Sequence, residues 1–185
     1  MKKYEYSKSG GFTLIELLTV LAVMLFFQAL AAPAMLDLLD SMRLSTGINT
    51  LLTSIHFARN EAAKRNDRVV ICKSDGAGRC VRSGGWEQGW IVFHDRNNNA
   101  LLDTGDSILL SESALPSHFK LAGNSPLANY VSYTANGTTK LISGAFQAGT
   151  FTLCRQSETS VEARQVVISS GGRPRTVKVM LENCP

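Results

Sequence analysis

Residues 12–35 (FTLIELLTVLAVMLFFQALAAPAM) are almost continuously apolar, and yet the fifth of them, Glu16, is ionisable. About 20 apolar residues are enough to cross a bilayer as a helix. This run therefore splits the chain into an apolar stem and a remainder of ~150 residues, which suits one compact domain. An ionised group inside an apolar span is costly and needs both a function and a partner. Glu16 lies four residues after Phe12, one helical turn away. Pro33, late in the stem, lacks an N–H and is expected to bend or locally melt the helix.

A secretory signal peptide would account for Lys2, Lys3 and Lys8, with Ala29-Leu30-Ala31 as its cleavage site. Its apolar core spans only about 7–15 residues, however, and a charge such as Glu16 would weaken its insertion. A plain single-pass anchor is the other alternative; a lipoprotein anchor is excluded because no cysteine precedes Cys72. The basic leader MKKYEYSKSGG, then Phe12, then Glu16, resembles the signature of type IV pilin-like proteins. That resemblance implies a prepilin peptidase that cuts between Gly11 and Phe12, and N-methylation of Phe12. It implies a filament in which Glu16 neutralises the N-terminus of Phe12 in a neighbouring subunit. It also implies a leader over 1–11 and a transmembrane or filament-core helix over 12–35. The precursor would be single-pass in the inner membrane with a periplasmic head, and would later join a pilus or pseudopilus.

Past the stem, Leu44, Ile48, Leu51, Leu52, Ile55, Ala58 and Ala62 recur at three- and four-residue intervals, predicting an amphipathic helix over 36–68. Asn66-Asp67 ends it, and Arg68-Val-Val-Ile-Cys72 reads as a strand opening a β-rich head over 69–185. Further strands are expected at 89–93, 107–111, 130–134, 149–155, 163–169 and 176–181. One long helix followed by many short strands predicts an α+β fold with a mainly antiparallel sheet. Trp86, Trp90 and Phe93 alternate with small or polar residues and read as core.

Formal charge is +4; without Lys2, Lys3, Lys8 and Glu5 of the leader, 16 basic residues face 14 acidic ones. So mild a balance announces no nucleic-acid binder, and such a site would have to be a local patch. Cys72, Cys80, Cys154 and Cys184 all follow the stem, and an even count in an exported chain favours disulfides. Four cysteines allow three connectivities, of which nearest-neighbour pairing gives Cys72–Cys80 and Cys154–Cys184. With no CxxC and with His56, His94 and His118 scattered, a zinc site is not expected.

The resemblance becomes specific along the head. Ala58-Arg-Asn-Glu-Ala-Ala-Lys-Arg-Asn66 before Val69-Val-Ile-Cys72 is similar to the helix-to-strand passage of the GspH/FimT family. So are Trp86…Gly89-Trp90-Ile-Val-Phe93 with Asp95-Arg-Asn-Asn-Asn, and Gly172-Arg173-Pro174-Arg175. The resemblance implies the type IV pilin fold and, as partners, other pilins or pseudopilins.

Two loops are candidate sites. Asp95, Asn97, Asn99 and Asp103 place oxygens much as a calcium loop begins, with Asp106 where a bidentate Glu is expected. Ala100 replaces the turn glycine of that pattern, though, and such residues also satisfy turns by themselves. Calcium is the one cofactor the chain suggests.

In 169–178 (SSGGRPRTVK), Arg173 and Arg175 leave a turn two residues apart, which puts both on one strand face. Pro174 stiffens the backbone, and Gly172 would admit close approach of a partner. Two planar, permanent cations suit phosphate oxygens. Lys178 falls on the opposite face of a regular strand, so its help would need a bulge or reach. Gly-Arg-x-Arg also resembles the DNA-binding motif of FimT-type minor pilins, which implies capture of double-stranded DNA during natural transformation. The affinity would be weak, with a salt slope of ~−2 to −3. The alternative is a structural pseudopilin of type II secretion without a nucleic-acid role. The cluster Lys64, Arg65 and Arg68 reads as favourable charge at a helix C-terminus. No partnered nucleophile, phosphate loop or carboxylate pair stands out, so the chain reads as a non-enzyme without a small-molecule substrate.

Overall fold

The structure is a computed structural model that describes residues 11–156 and 160–185, without the side chains of 30–34 and 37. The described residues fall into two compact units, divided between Asp40 and Ser41. Helix α1 (Leu14–Arg65) supplies the first and opens the second. Thr13 and Glu16 start it reciprocally. The Glu16 carboxylate accepts from the Thr13 N–H at 2.9 Å and hydroxyl at 3.0 Å, while the Glu16 N–H donates to Thr13 Oγ1 at 3.3 Å. This is a capping box, which satisfies donors that a helix start leaves open. Phe12, Leu14, Ile15, Leu17, Leu18 and Leu21 are all exposed, Phe12 by 88%. A helix apolar on every side needs a membrane or other subunits around it. Among the described residues no helix is long and apolar enough to cross a membrane. Helix α1 continues through Pro33, so the missing N–H does not melt the helix there as expected.

In the second unit Leu44, Ile48, Leu51, Ile55, Ala58 and Ala62 are buried, and Leu52 is partly so. The helix ends at Arg65, where Asn66 turns left-handed (φ 54°) and the Asp67 N–H reaches Ala62 O at 3.2 Å. The strands are β1 (Val69–Lys73), β2 (Trp90–His94), β3 (Ser107–Glu112), β4 (Phe119–Gly123), β5 (Tyr130–Tyr133), β6 (Gly149–Arg155), β7 (Val161–Ile168) and β8 (Pro174–Leu181). They make two four-stranded sheets, β3-β2-β1-β5 and β4-β6-β7-β8, antiparallel throughout.

The fold is α+β as expected, with two sheets in place of one and with β4 unforeseen. β4 is only five residues long, lacks β-branched side chains and ends in glycine, so it carries little strand signal.

Trp86 and Trp90 sit in the core between helix and sheets, donating to Leu127 O and Ser54 Oγ at 3.0 Å each. Phe93 joins a smaller cluster with Val70, Ile91 and Ala100. Disulfides join Cys72 to Cys80 and Cys154 to Cys184.

Candidate functional site

The β7–β8 hairpin presents the arginine turn. Its pairing runs to Ile168 and Pro174, and continues as the Ser169 N–H donates to Arg173 O at 3.2 Å. The Arg173 N–H donates to Ser169 Oγ at 3.3 Å, and the Gly172 N–H to Ser169 O at 2.8 Å. Gly172 is left-handed, at φ +72°. It is also buried. A Cβ there would lie 2.5 Å from Gly137 O and 3.0 Å from Thr138 Cα. The close approach that Gly172 permits is thus to this chain's own 137–139 backbone, which corrects the reading of it as a contact for a partner. The buried Tyr133 hydroxyl donates to Gly172 O at 2.9 Å, and burial pushes that hydroxyl's pKa up, keeping it a donor.

Arg173 and Arg175 are exposed. Among the described residues neither guanidinium has an ion-pair or hydrogen-bond partner. Lys178 stands apart from them. It pairs in register with Arg164 while Arg175 pairs with Val167, so alternation places it on the other face. Its Nζ lies 2.8 Å from Glu162 Oε1, and Arg164 bonds the same carboxylate. Those two bonds, from Lys178 and then Arg164, hold the Glu162 carboxyl below its usual range. Lys178 also lines a groove against α1 with Ser45, Asn49 and Arg164. The regular register brings no bulge to reunite it with the turn.

The 95–106 loop does not form a cation cage. Asp95 Oδ1 and Oδ2 accept from the N–H groups of Asn99 (3.2 Å) and Ala100 (2.8 Å). Asp106 accepts from those of Arg96 and Asp103. Asn97 and Asn99 turn their amide nitrogens to Asp103 Oδ2, at 2.8 and 2.7 Å. Their own oxygens accept from Asn99 and Leu101 N–H groups. Asp95, Asn97, Asn99 and Asp106 accept turn N–H groups and Asp103 accepts two side-chain amides, and among the described residues no group of three His, Cys, Asp or Glu could hold a metal. Calcium is therefore withdrawn. Burial pushes the Asp95 carboxyl up, against the opposing bonds from Ala100 and Asn99. Asp95→Ala would leave the buried Ala100 N–H without an acceptor, while the Asn99 N–H keeps Asn97 Oδ1. We expect a loss of about 1–3 kcal/mol in chemical denaturation, and no change in melting temperature when calcium is added to the wild type. A calcium-dependent rise would reinstate the ion.

The basic cluster at the end of α1 is engaged. Glu61 pairs with Lys64 (3.4 Å) and Arg65 (2.7 Å), and Arg68 donates to Asn98 Oδ1 and Ser132 Oγ. Two residues near the arginine turn escaped the sequence reading. Tyr133 carried no signal beyond strand propensity. Arg59 lay among the polar positions of an amphipathic helix, yet it packs on Gly137, 3.0 Å from where a Cβ would stand.

The profile of the family described as "Type II transport protein GspH" matches residues 47–172. The chain belongs to the GspH family. This is a family of structural subunits rather than enzymes, in keeping with the sequence reading. A second profile, "Prokaryotic N-terminal methylation motif", matches 6–27, the region of Gly11, Phe12 and Glu16. That motif suggests a membrane-anchored pilin-type chain processed by a prepilin peptidase and assembled with other pilins. Among curated proteins none matches.

Two crystal structures of the type IV minor pilin FimU of Pseudomonas aeruginosa (strain PAO1) share the fold at 18% identity. One, in space group P21, has a TM-score of 0.58, covering 79% of this chain and 98% of that chain. The other, in P65, has 0.54, covering 77% and 100%. The GspH-family match stops at Gly172, so Arg173 and Arg175 lie beyond it.

Proposed function

We propose that this GspH-family chain is a minor pilin of a type IV pilus, whose head holds extracellular double-stranded DNA for uptake through Arg173 and Arg175. One observation carries the reading: two exposed guanidinium groups without acidic partners leave a turn held at Ser169, Gly172 and Pro174. Such preorganisation lowers the entropy of engaging phosphates, and planar forks bind them bidentately. The two arginines account for a salt slope of about −2, near the weak non-specific range. Several copies along a filament would compensate by avidity.

In the same reading a prepilin peptidase cuts between Gly11 and Phe12, Phe12 is methylated, and the stem holds the subunit in the inner membrane until assembly. Glu16 then exchanges its capping bonds with Thr13 for the N-terminus of a neighbour's Phe12.

The test is anisotropy of a short labelled duplex with the full chain in neutral detergent, over a series of salt concentrations. Arg173→Gln/Arg175→Gln should weaken binding at least tenfold at low salt and flatten the slope by about 2. Lys178→Gln, already paired with Glu162, should change neither. A second reading, a type II secretion pseudopilin, draws on the family description and on a match that ends before the arginines. It expects no binding even at low salt.

A further inference from the structure

Three segments of this chain, 41–60, 113–156 and 163–181, contain no aspartate or glutamate, although the sequence carries 15 acidic residues. Between the first two lie Glu61, Asp67, Asp75, Glu87, Asp95, Asp103, Asp106 and Glu112, and between the last two Glu158 and Glu162. The fold brings one residue of each acid-free segment to a single joint. Gly172 of the β7–β8 turn presses on Gly137 of the turn after β5, and Arg59 of α1 covers Gly137 from its own side. Gly137 is left-handed, at φ +70°, and a Cβ there would stand 3.0 Å from Arg59 Nε and 3.5 Å from its Nη2. Thus the Arg59 guanidinium is seated on a backbone that only glycine leaves open.

Arg59 is half-buried. Among the described residues no carboxylate or hydrogen-bond acceptor answers it, and its charge reaches the Tyr133 hydroxyl. A partly desolvated cation with no counter-ion is unfavourable alone and becomes favourable when an anion arrives. Tyr133 in turn holds Gly172 O, so Arg59 and the arginine turn are fixed to the same joint.

We infer that Arg59 is a third phosphate-binding cation of this face, so that a nucleic-acid backbone engages the helix across Gly137 as well as the Arg173/Arg175 turn. The inference rests on the DNA reading above and extends it to a residue on another element. A contact that adds one phosphate adds about −0.9 to the salt slope.

The experiment is the same duplex titration with the full chain in neutral detergent, comparing wild type, Arg59→Gln, Arg59→Lys and the double arginine-turn variant, each with its melting temperature. Arg59→Gln should weaken binding about three- to tenfold at low salt and flatten the slope by about 1. Arg59→Lys should restore the slope, because it keeps the charge. Wild-type affinity and slope in Arg59→Gln, with binding lost in the turn variant, would overturn the inference and leave the DNA reading standing. Equal loss in Arg59→Gln and Arg59→Lys, with a lowered melting temperature in both, would also overturn it by making Arg59 a structural cover for Gly137. No binding by the wild type would remove the DNA reading and this extension together.

Discussion

Gly172→Ala should lower the stability of the head by about 3–4 kcal/mol and abolish any function of the arginine turn. Two costs combine. A non-glycine residue at φ +72° pays roughly 1–2 kcal/mol for the left-handed backbone. The new methyl would also meet Gly137 O at 2.5 Å and Thr139 N at 3.1 Å, backbone atoms that cannot rotate aside. Relief requires the hairpin tip to lift from the 137–139 turn, which strains or breaks the Tyr133–Gly172 bond and strands a buried hydroxyl at about 1–3 kcal/mol. At about 2–4 °C per kcal/mol for a domain of this size, the melting temperature should fall by about 6–16 °C. The neighbouring Gly171→Ala is the control. Its backbone is not left-handed, and its Cβ would meet only Ser169 Oγ, at 3.9 Å, so it should melt within about 0.5 kcal/mol of wild type. Equal behaviour of the two variants would show that the tip is not docked on Gly137.

The same glycine marks where sequence reasoning stops. The turn itself was legible, since Gly-Gly between two apolar runs is a turn signal. What it packs against was not, because Gly137 and Gly172 are brought together by the pairing of two sheets that no local pattern foretells. The helix face from Leu44 to Ala62 was legible because burial repeats at helical spacing. So was the helix end at Asn66, which tolerates a left-handed backbone.

Thr13-x-x-Glu16 also fits a readable capping pattern, but the apolar surroundings of Glu16 drew attention to its charge instead. The 95–106 loop misled for a related reason. The oxygens that bind calcium are the ones that cap turns, and sequence spacing does not say which donors they face. Lys73 was invisible as a core residue. Its side chain is buried, the ammonium donating to the loop carbonyls Arg82 O and Gly84 O at 3.0 and 2.8 Å, and burial lowers its pKa. It pins the segment just past the Cys72–Cys80 bridge, which would otherwise read as free glycine-rich chain.

Removing the second disulfide, Cys154→Ala/Cys184→Ala, should cost about 3.5 kcal/mol yet leave duplex binding intact well below the melting point. The bridge closes a loop of sequence separation 30, for which chain entropy alone gives about 3.5 kcal/mol; the Cys72–Cys80 loop, separation 8, gives about 2.5. The longer tether has a specific task. β8 is the edge of its sheet, paired only with β7, and the chain beyond Leu181 forms no strand. Cys184 ties that tail back to β6 over a small cluster of Val161, Ala163, Val179 and Leu181. Without the bridge the far end of β8 frays. Arg175, at its near end, stays fixed by Pro174 and the Gly172 joint. The expected result is a melting temperature lower by about 7–14 °C, reproduced by reductant in the variant lacking only the Cys72–Cys80 pair and absent in the variant lacking both. A loss under about 1 kcal/mol would mean that β8 holds without its tether. Loss of DNA binding at 20 °C would mean that the arginine turn depends on the far end of its strand, and not on Gly137.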